Sequence, residues 1–224
     1  MIKIAPSILA ADLMNMKEEI ELVDNYGAEY IHIDVMDGQY VENIAFGPNI
    51  VNSLRPYTKK TLDVHLMISP VIKYIDDFIK AGADIISFHP DADNKNKEII
   101  KQIKSNNCKV GIAVHPKINI SDIEIFLDDI DCVIVMTVVP GFGGQKFMHS
   151  EVKKITELDN IKKQKNLKFE IEVDGGINHE TGKICRDKNA NSIVIGKKNQ
   201  KIFNCFLIPK QVKNIETNDK IKAC

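Results

Sequence analysis

Eight strand-length apolar runs alternate along this chain with segments whose apolar residues recur every three or four positions, and few folds satisfy that alternation. The runs are Ile2–Pro6, Glu29–Val35, Thr61–Leu66, Asp84–His89, Lys109–His115, Cys132–Val138, Phe169–Asp174 and Ser192–Ile195. Strands joined by helical crossovers pair in parallel, and the near-continuous aliphatic run of Cys132–Val138 suits a strand covered on both faces. Eight such units in 224 residues predict one α/β domain, a (β/α)8 TIM barrel, with an open doubly wound sheet as the alternative. No linker-like stretch divides residues 1–196. Residues 197–224 differ: seven lysines against Glu216 and Asp219 and an apolar cluster cut by Pro209 give no clean helix. This atypical basic C-terminal segment after strand eight is expected to be loosely docked or partly disordered.

The helical segments carry their own start and stop signals. Asp12–Tyr26, with Leu13, Met16, Ile20 and Val23 as its stripe, ends at Gly27. A short helix over Asn49–Arg55 is closed by Pro56. Ser69-Pro70 reads as a cap followed by proline at the first helical position, opening a helix that runs to Gly82. Further helices are predicted over Asn94–Asn106, from a cap near Ser121 with Glu124 at capping-box spacing, over Ser150–Lys165 and over His179–Asp187.

Side chains alternate between the two faces of a strand, so in YIHIDVMDG the residues His32, Asp34 and Met36 share the face opposite Ile31, Ile33 and Val35. Asp63, His65 and Met67 repeat the arrangement, and Glu170, Glu172 and Asp174 lead into Gly175-Gly176. The C-terminal ends of barrel strands are where barrel enzymes build their sites. His32, Asp34, His65 and Asp174 together suit one divalent ion such as Zn, Fe(II), Mn or Co, because four inward hydrophilic side chains are costly to bury without an ion or mutual pairing. His89 and His115 have similar placement in a weaker context. Two carboxylates from different strands can also act as acid and base on the two faces of a small substrate. The glycine-rich loop Gly141, Phe142, Gly143, Gly144, Gln145 and the pair Gly175-Gly176 both follow strands, and glycine backbone lets N–H groups approach an anion closely. Beside metal-type ligands they argue for a phosphorylated substrate. Met36, Met67 and Met136 are core filler taken singly and a water-poor cover over a reactive intermediate taken together.

Thirty basic against 31 acidic residues leave a net charge of −1, so neither a nucleic acid nor a membrane surface is expected as partner. The apolar run Ile4–Ala11 is broken by Pro6 and too short for a signal peptide or a span. Five scattered cysteines without a CxxC pair predict reduced thiols in a cytoplasmic protein.

The segments APSILAADL, HIDVMDG, DVHLM, VMTVVPGFGGQKF and EVDGGI, in this order and spacing, resemble the ribulose-phosphate 3-epimerase family from Ile4 to about Gly196. The resemblance implies a metal-dependent barrel enzyme of the pentose phosphate pathway that interconverts D-ribulose 5-phosphate and D-xylulose 5-phosphate, and a homo-oligomer. It implies that His32, Asp34, His65 and Asp174 bind the ion, and that Asp34 and Asp174 exchange protons with carbon 3 through an enediolate. It further implies that Ser7 and His65 contact substrate, that Met36, Met67 and Met136 pack over it, and that the backbone of Gly141–Gly144 and Asp174–Gly176 closes on the sugar and its phosphate. After strand eight the family pattern has glycine followed by serine or threonine, whereas this chain has Gly196-Lys197-Lys198. Phosphate binding by Gly196 and Lys197 is then weakened or lysine-based. Two alternatives stay open: an epimerase of six-carbon ketose phosphates, and a catalytically impaired phosphate- or metal-binding homologue.

Overall fold

A computed structural model describes residues 2–196. The basic segment 197–224, including Lys197, lies outside the described residues. Eight strands form the barrel: β1 (Lys3–Pro6), β2 (Tyr30–Asp37), β3 (Thr61–Met67), β4 (Ile85–Phe88), β5 (Lys109–Val114), β6 (Cys132–Met136), β7 (Glu170–Asp174) and β8 (Ser192–Ile195). Consecutive strands from β2 to β8 pair in parallel, and β8 pairs in parallel with β1. The ring closes where Ser7, one residue past β1, bridges His32 of β2, and where the Glu29 amide donates to the Ile4 carbonyl at 3.2 Å. A two-residue antiparallel strand, Ile44–Ala45, folds back on the end of β2 inside the loop that follows it.

The helices are α1 (Met16–Asn25), α2 (Pro48–Leu54), α3 (Ile75–Ala81), α4 (Asn96–Ser105), α5 (Ile120–Ile123), α6 (Val152–Gln164) and α7 (His179–Asp187). Their apolar stripes and the outward strand faces make one core: Ile31, Ile33, Leu62 and Val64 join Ile20, Val51, Ile75, Phe78, Ile99 and Leu158. Each such side chain taken out of water contributes about 1.5–3 kcal/mol before chain entropy is counted. Left-handed residues end several helices, among them Gly82 after α3 at φ +103° and Asn107 shortly after α4 at φ +58°.

Local signals were overridden in three places. Asp12 accepts from the Met14 amide at 3.1 Å and caps a separate 3-10 turn over Leu13–Asn15, so Leu13, expected in the apolar stripe, is 59% exposed and α1 begins at Met16. Ser69 does not cap a helix starting at Pro70: its amide donates to Asp37 and its hydroxyl to the Ala92 carbonyl, and α3 starts at Ile75. The α5 cap is Asn119, whose amide donates to Asp122, while Glu124 pairs with Lys165 at 2.7 Å instead of reaching back to the cap. Cys108, Cys132 and Cys185 are buried free thiols.

Candidate active site

Parallel pairing sets β2 beside β3 with His32 opposite Asp63, Asp34 opposite His65 and Met36 opposite Met67. The two polar strand faces therefore become one patch on the barrel interior. β7 brings Asp174 beside Met136 of β6. Four groups from three strands converge: one ligand-type atom each from His32, Asp34, His65 and Asp174 lies within 4.8 Å of all the others. His65 Nδ1 is 3.2 Å from Asp34 Oδ1 and 3.8 Å from Asp174 Oδ2, and His32 Nε2 is 3.3 Å from Asp34 Oδ1.

The electrostatics of this cluster are those of a place that wants positive charge. Burial alone lowers the His32 pKa, but the charges of Asp34 and Asp63 outweigh it and hold the ring well above the usual imidazole range. Burial pushes Asp34 up, yet His32 and His65 hold it well below the usual carboxylate range. Asp174 goes the other way: burial first, then the charge of Asp34, push its pKa up to about 6. Two neighbouring carboxyl groups with opposed proton preferences result. The ion-binding chemistry fits too, since the set is two imidazoles and two carboxylates, and His32 Nε2 is buried without a hydrogen-bond partner. Neither Asp34 nor Asp174 pairs with a lysine among the described residues.

A cavity of about 1050 Å³ opens above the cluster, and Ser7, Asp34, Met36, Met67, Met136 and Asp174 line it. Ser7 donates to Asp34 Oδ2 at 2.7 Å and accepts from the Leu9 amide. His32 and His65 are wholly buried and do not line the cavity. The loop glycines Gly141, Gly143 and Gly144, with Phe142, form another part of the wall, and Gly175, Gly176 and Gly196 a third. Gly175 and Gly176 are left-handed at φ +116° and +64°, and a Cβ at either would come within 2.5 Å of Val138 or of the Phe147 backbone. Only glycine lets the chain turn there. Thr137 secures that turn by donating to the Gly175 carbonyl at 2.6 Å.

Sequence reasoning passed over Asp63 and Glu172. Asp63 Oδ2 is 2.6 Å from His32 Nδ1, Glu172 Oε1 is 3.6 Å from the same nitrogen, and Ser192 donates to Glu172 at 2.7 Å. Burial first, then the charge of Asp63, hold Glu172 well above the usual carboxylate range. Both residues share the strand face of the expected ligands, and that shared face was the available signal. Asn43 was also missed; its amide donates to the Gly141 carbonyl at 2.9 Å and ties the β2 loop to the glycine loop.

A family model described as the Ribulose-phosphate 3 epimerase family matches residues 3–199. The chain is 48% identical over 197 residues to ribulose-phosphate 3-epimerase from Bacillus subtilis (strain 168), covering 88% of this chain and 91% of that protein. It is 43% identical over 195 residues to the chloroplastic ribulose-5-phosphate-3-epimerase of Arabidopsis thaliana, covering 86% and 69%. Among solved structures, a 3-keto-L-gulonate-6-phosphate decarboxylase from Vibrio cholerae superposes with a TM-score of 0.67 at 16% identity, covering 96% and 99%, a likeness of fold alone.

Proposed function

The chain belongs to the ribulose-phosphate 3-epimerase family, and on that premise we propose that it interconverts D-ribulose 5-phosphate and D-xylulose 5-phosphate by moving a proton at carbon 3. This places the enzyme in pentose phosphate metabolism. The observation that carries the proposal is the pair Asp34 and Asp174, two carboxyl groups brought from β2 and β7 to face one cavity.

Asp34, ionised, takes the carbon-3 proton from one face of the substrate. Asp174, protonated, delivers a proton to the other face, and the roles exchange in the reverse direction. The hydrogen bond from Ser7 holds Asp34 Oδ2, which leaves Oδ1 to the histidines and fixes how the carboxylate is presented. His32, Asp34, His65 and Asp174 would hold a single divalent ion, which when bound supplies electron withdrawal at the substrate ketone and charge neutralisation for the enediolate. Met36, Met67 and Met136 exclude water from that intermediate, and the turn at Gly175-Gly176 offers backbone donors to the phosphate. We further propose that the enzyme acts in the cytoplasm as a homo-oligomer; among the described residues no helix is long and apolar enough to cross a membrane.

The test is turnover of D-ribulose 5-phosphate in deuterium oxide. With two acids of separate duty, product gains deuterium at carbon 3 while recovered substrate gains little, and Asp34→Asn and Asp174→Asn each lower kcat by roughly 10²–10⁴-fold. Equal early labelling of substrate and product would overturn the two-carboxylate assignment, and absence of turnover by folded, ion-loaded enzyme would overturn the activity.

A further inference from the structure

His65 has two ring nitrogens, and the cavity side of the molecule accounts for one of them. Nδ1 faces Asp34 and Asp174. Nε2 points the other way and meets Nε2 of His89 at 3.0 Å. His89 sits one residue past β4 and is wholly buried. Two imidazole nitrogens at this distance need one proton between them, because two hydrogens collide and two lone pairs repel. A neutral imidazole that gives its Nδ1 lone pair to an ion keeps its hydrogen on Nε2.

We propose that His89 is a positioning residue for the ion site: its Nε2 accepts the Nε2–H of His65 and so fixes His65 as the tautomer whose Nδ1 lone pair faces Asp34 and Asp174. The inference rests on the ion-binding reading of the site and goes beyond it in assigning a support. His32 is held in the reverse sense, with Nδ1 on Asp63 at 2.6 Å and Nε2 left for the ion. The two imidazoles thus present different nitrogens, and each choice is made by a different neighbour. The His89 ring is itself clamped: Tyr40 stacks on it with centroids 4.8 Å apart, Tyr40 donates its hydroxyl proton to Asp91 at 3.0 Å, and Asp91 pairs with Lys117 at 3.2 Å. The loop after β2 therefore reaches the ion site through His89.

Cobalt(II) affinity of the full-length chain, measured by competition with a chelator, tests the assignment. Loss of the acceptor in His89→Leu weakens cobalt binding by roughly 10- to 100-fold, the usual effect of removing a partner that orients a ligand. His89→Gln, whose amide oxygen still accepts, recovers most of that loss. Unchanged affinity in folded His89→Leu overturns the proposal. Nitrogen-15 spectra of the unaltered zinc-loaded protein decide the case even if the leucine variant does not fold: the proton is expected on Nε2 of His65 and Nδ1 of His89, and a proton on Nε2 of His89 overturns it. Failure of the unaltered protein to take up cobalt would count against the ion-binding reading instead, and the tautomer is then read from the same spectra without metal.

Discussion

At the residue scale, what separates ligands from supports is depth along the strand. His32, Asp63 and Glu172 face one another in the barrel interior, and Asp34, His65 and Asp174 belong to the adjoining group. A period of two puts all of them on the same face but does not say which layer each enters, because that depends on the stagger between strands. The candidate ligands were legible in the sequence, and the shared face pointed to Asp63 and Glu172 as well, but that these two gather at His32 Nδ1 shows only in the folded contacts. Ser7 is a residue whose part in the site turns on a single bond. Without the charge-assisted hydrogen bond to Asp34, Ser7→Ala is expected to lose roughly 10- to 100-fold in kcat/KM, the equivalent of about 1.5–3 kcal/mol, with little change in melting temperature. Steady-state kinetics beside a thermal melt check this, and a kcat/KM within twofold of the parent contradicts the role.

At the element scale, the alternation of runs located all eight barrel strands, because parallel strands with both faces covered are uniformly apolar on the outward side. Helix starts were less legible. Ser69 looks like a cap from its neighbours alone, and the bonds that redirect it come from Asp37, 32 residues earlier, and Ala92, 23 residues later. Such tertiary partners leave no trace in a local pattern. The turn after β7 is the opposite case, since two consecutive glycines announce backbone that other residues cannot follow. Gly175→Ala forces a Cβ against Val138 at a left-handed position and is expected to cost about 1–3 kcal/mol. It should also raise KM more than it lowers kcat, because the backbone donors proposed for the phosphate lie in that turn. Denaturant unfolding with steady-state kinetics tests both, and unaltered stability and KM together would show that the turn has slack.

At the scale of the whole molecule, Glu170 of β7 reaches Lys3 of β1 and Tyr30 of β2, the two strands that meet where the ring closes, and the three side chains hold one another. Burial raises the Glu170 pKa, but the bonds from Lys3 and Tyr30 outweigh it and hold the group below its ordinary 4.5. A carboxylate depressed in the folded state adds stability that is present above its unfolded pKa and is lost as pH falls through the folded one. Glu170→Gln should therefore be less stable than the parent at pH 7, with the gap narrowing below about pH 4.5 as the parent's carboxylate is protonated. Urea unfolding at several pH values measures the gap; a constant difference down to pH 3 would falsify the assignment.

The closure at Ser7 also bears on the order of events during synthesis. β1 is made first but lies between β2 and β8, and the amide of Ser7 donates to the carbonyl of Ile195 at 2.9 Å. The nascent chain carries the serine that steadies Asp34 from the outset, yet the last barrel strand must leave the ribosome before that serine is locked in place. A chain halted before Ser192 is accordingly expected to hold cobalt weakly and to turn over no substrate, a result that stalled-chain binding measurements can read directly. Competence is thus expected to wait on the meeting of the first and last barrel strands.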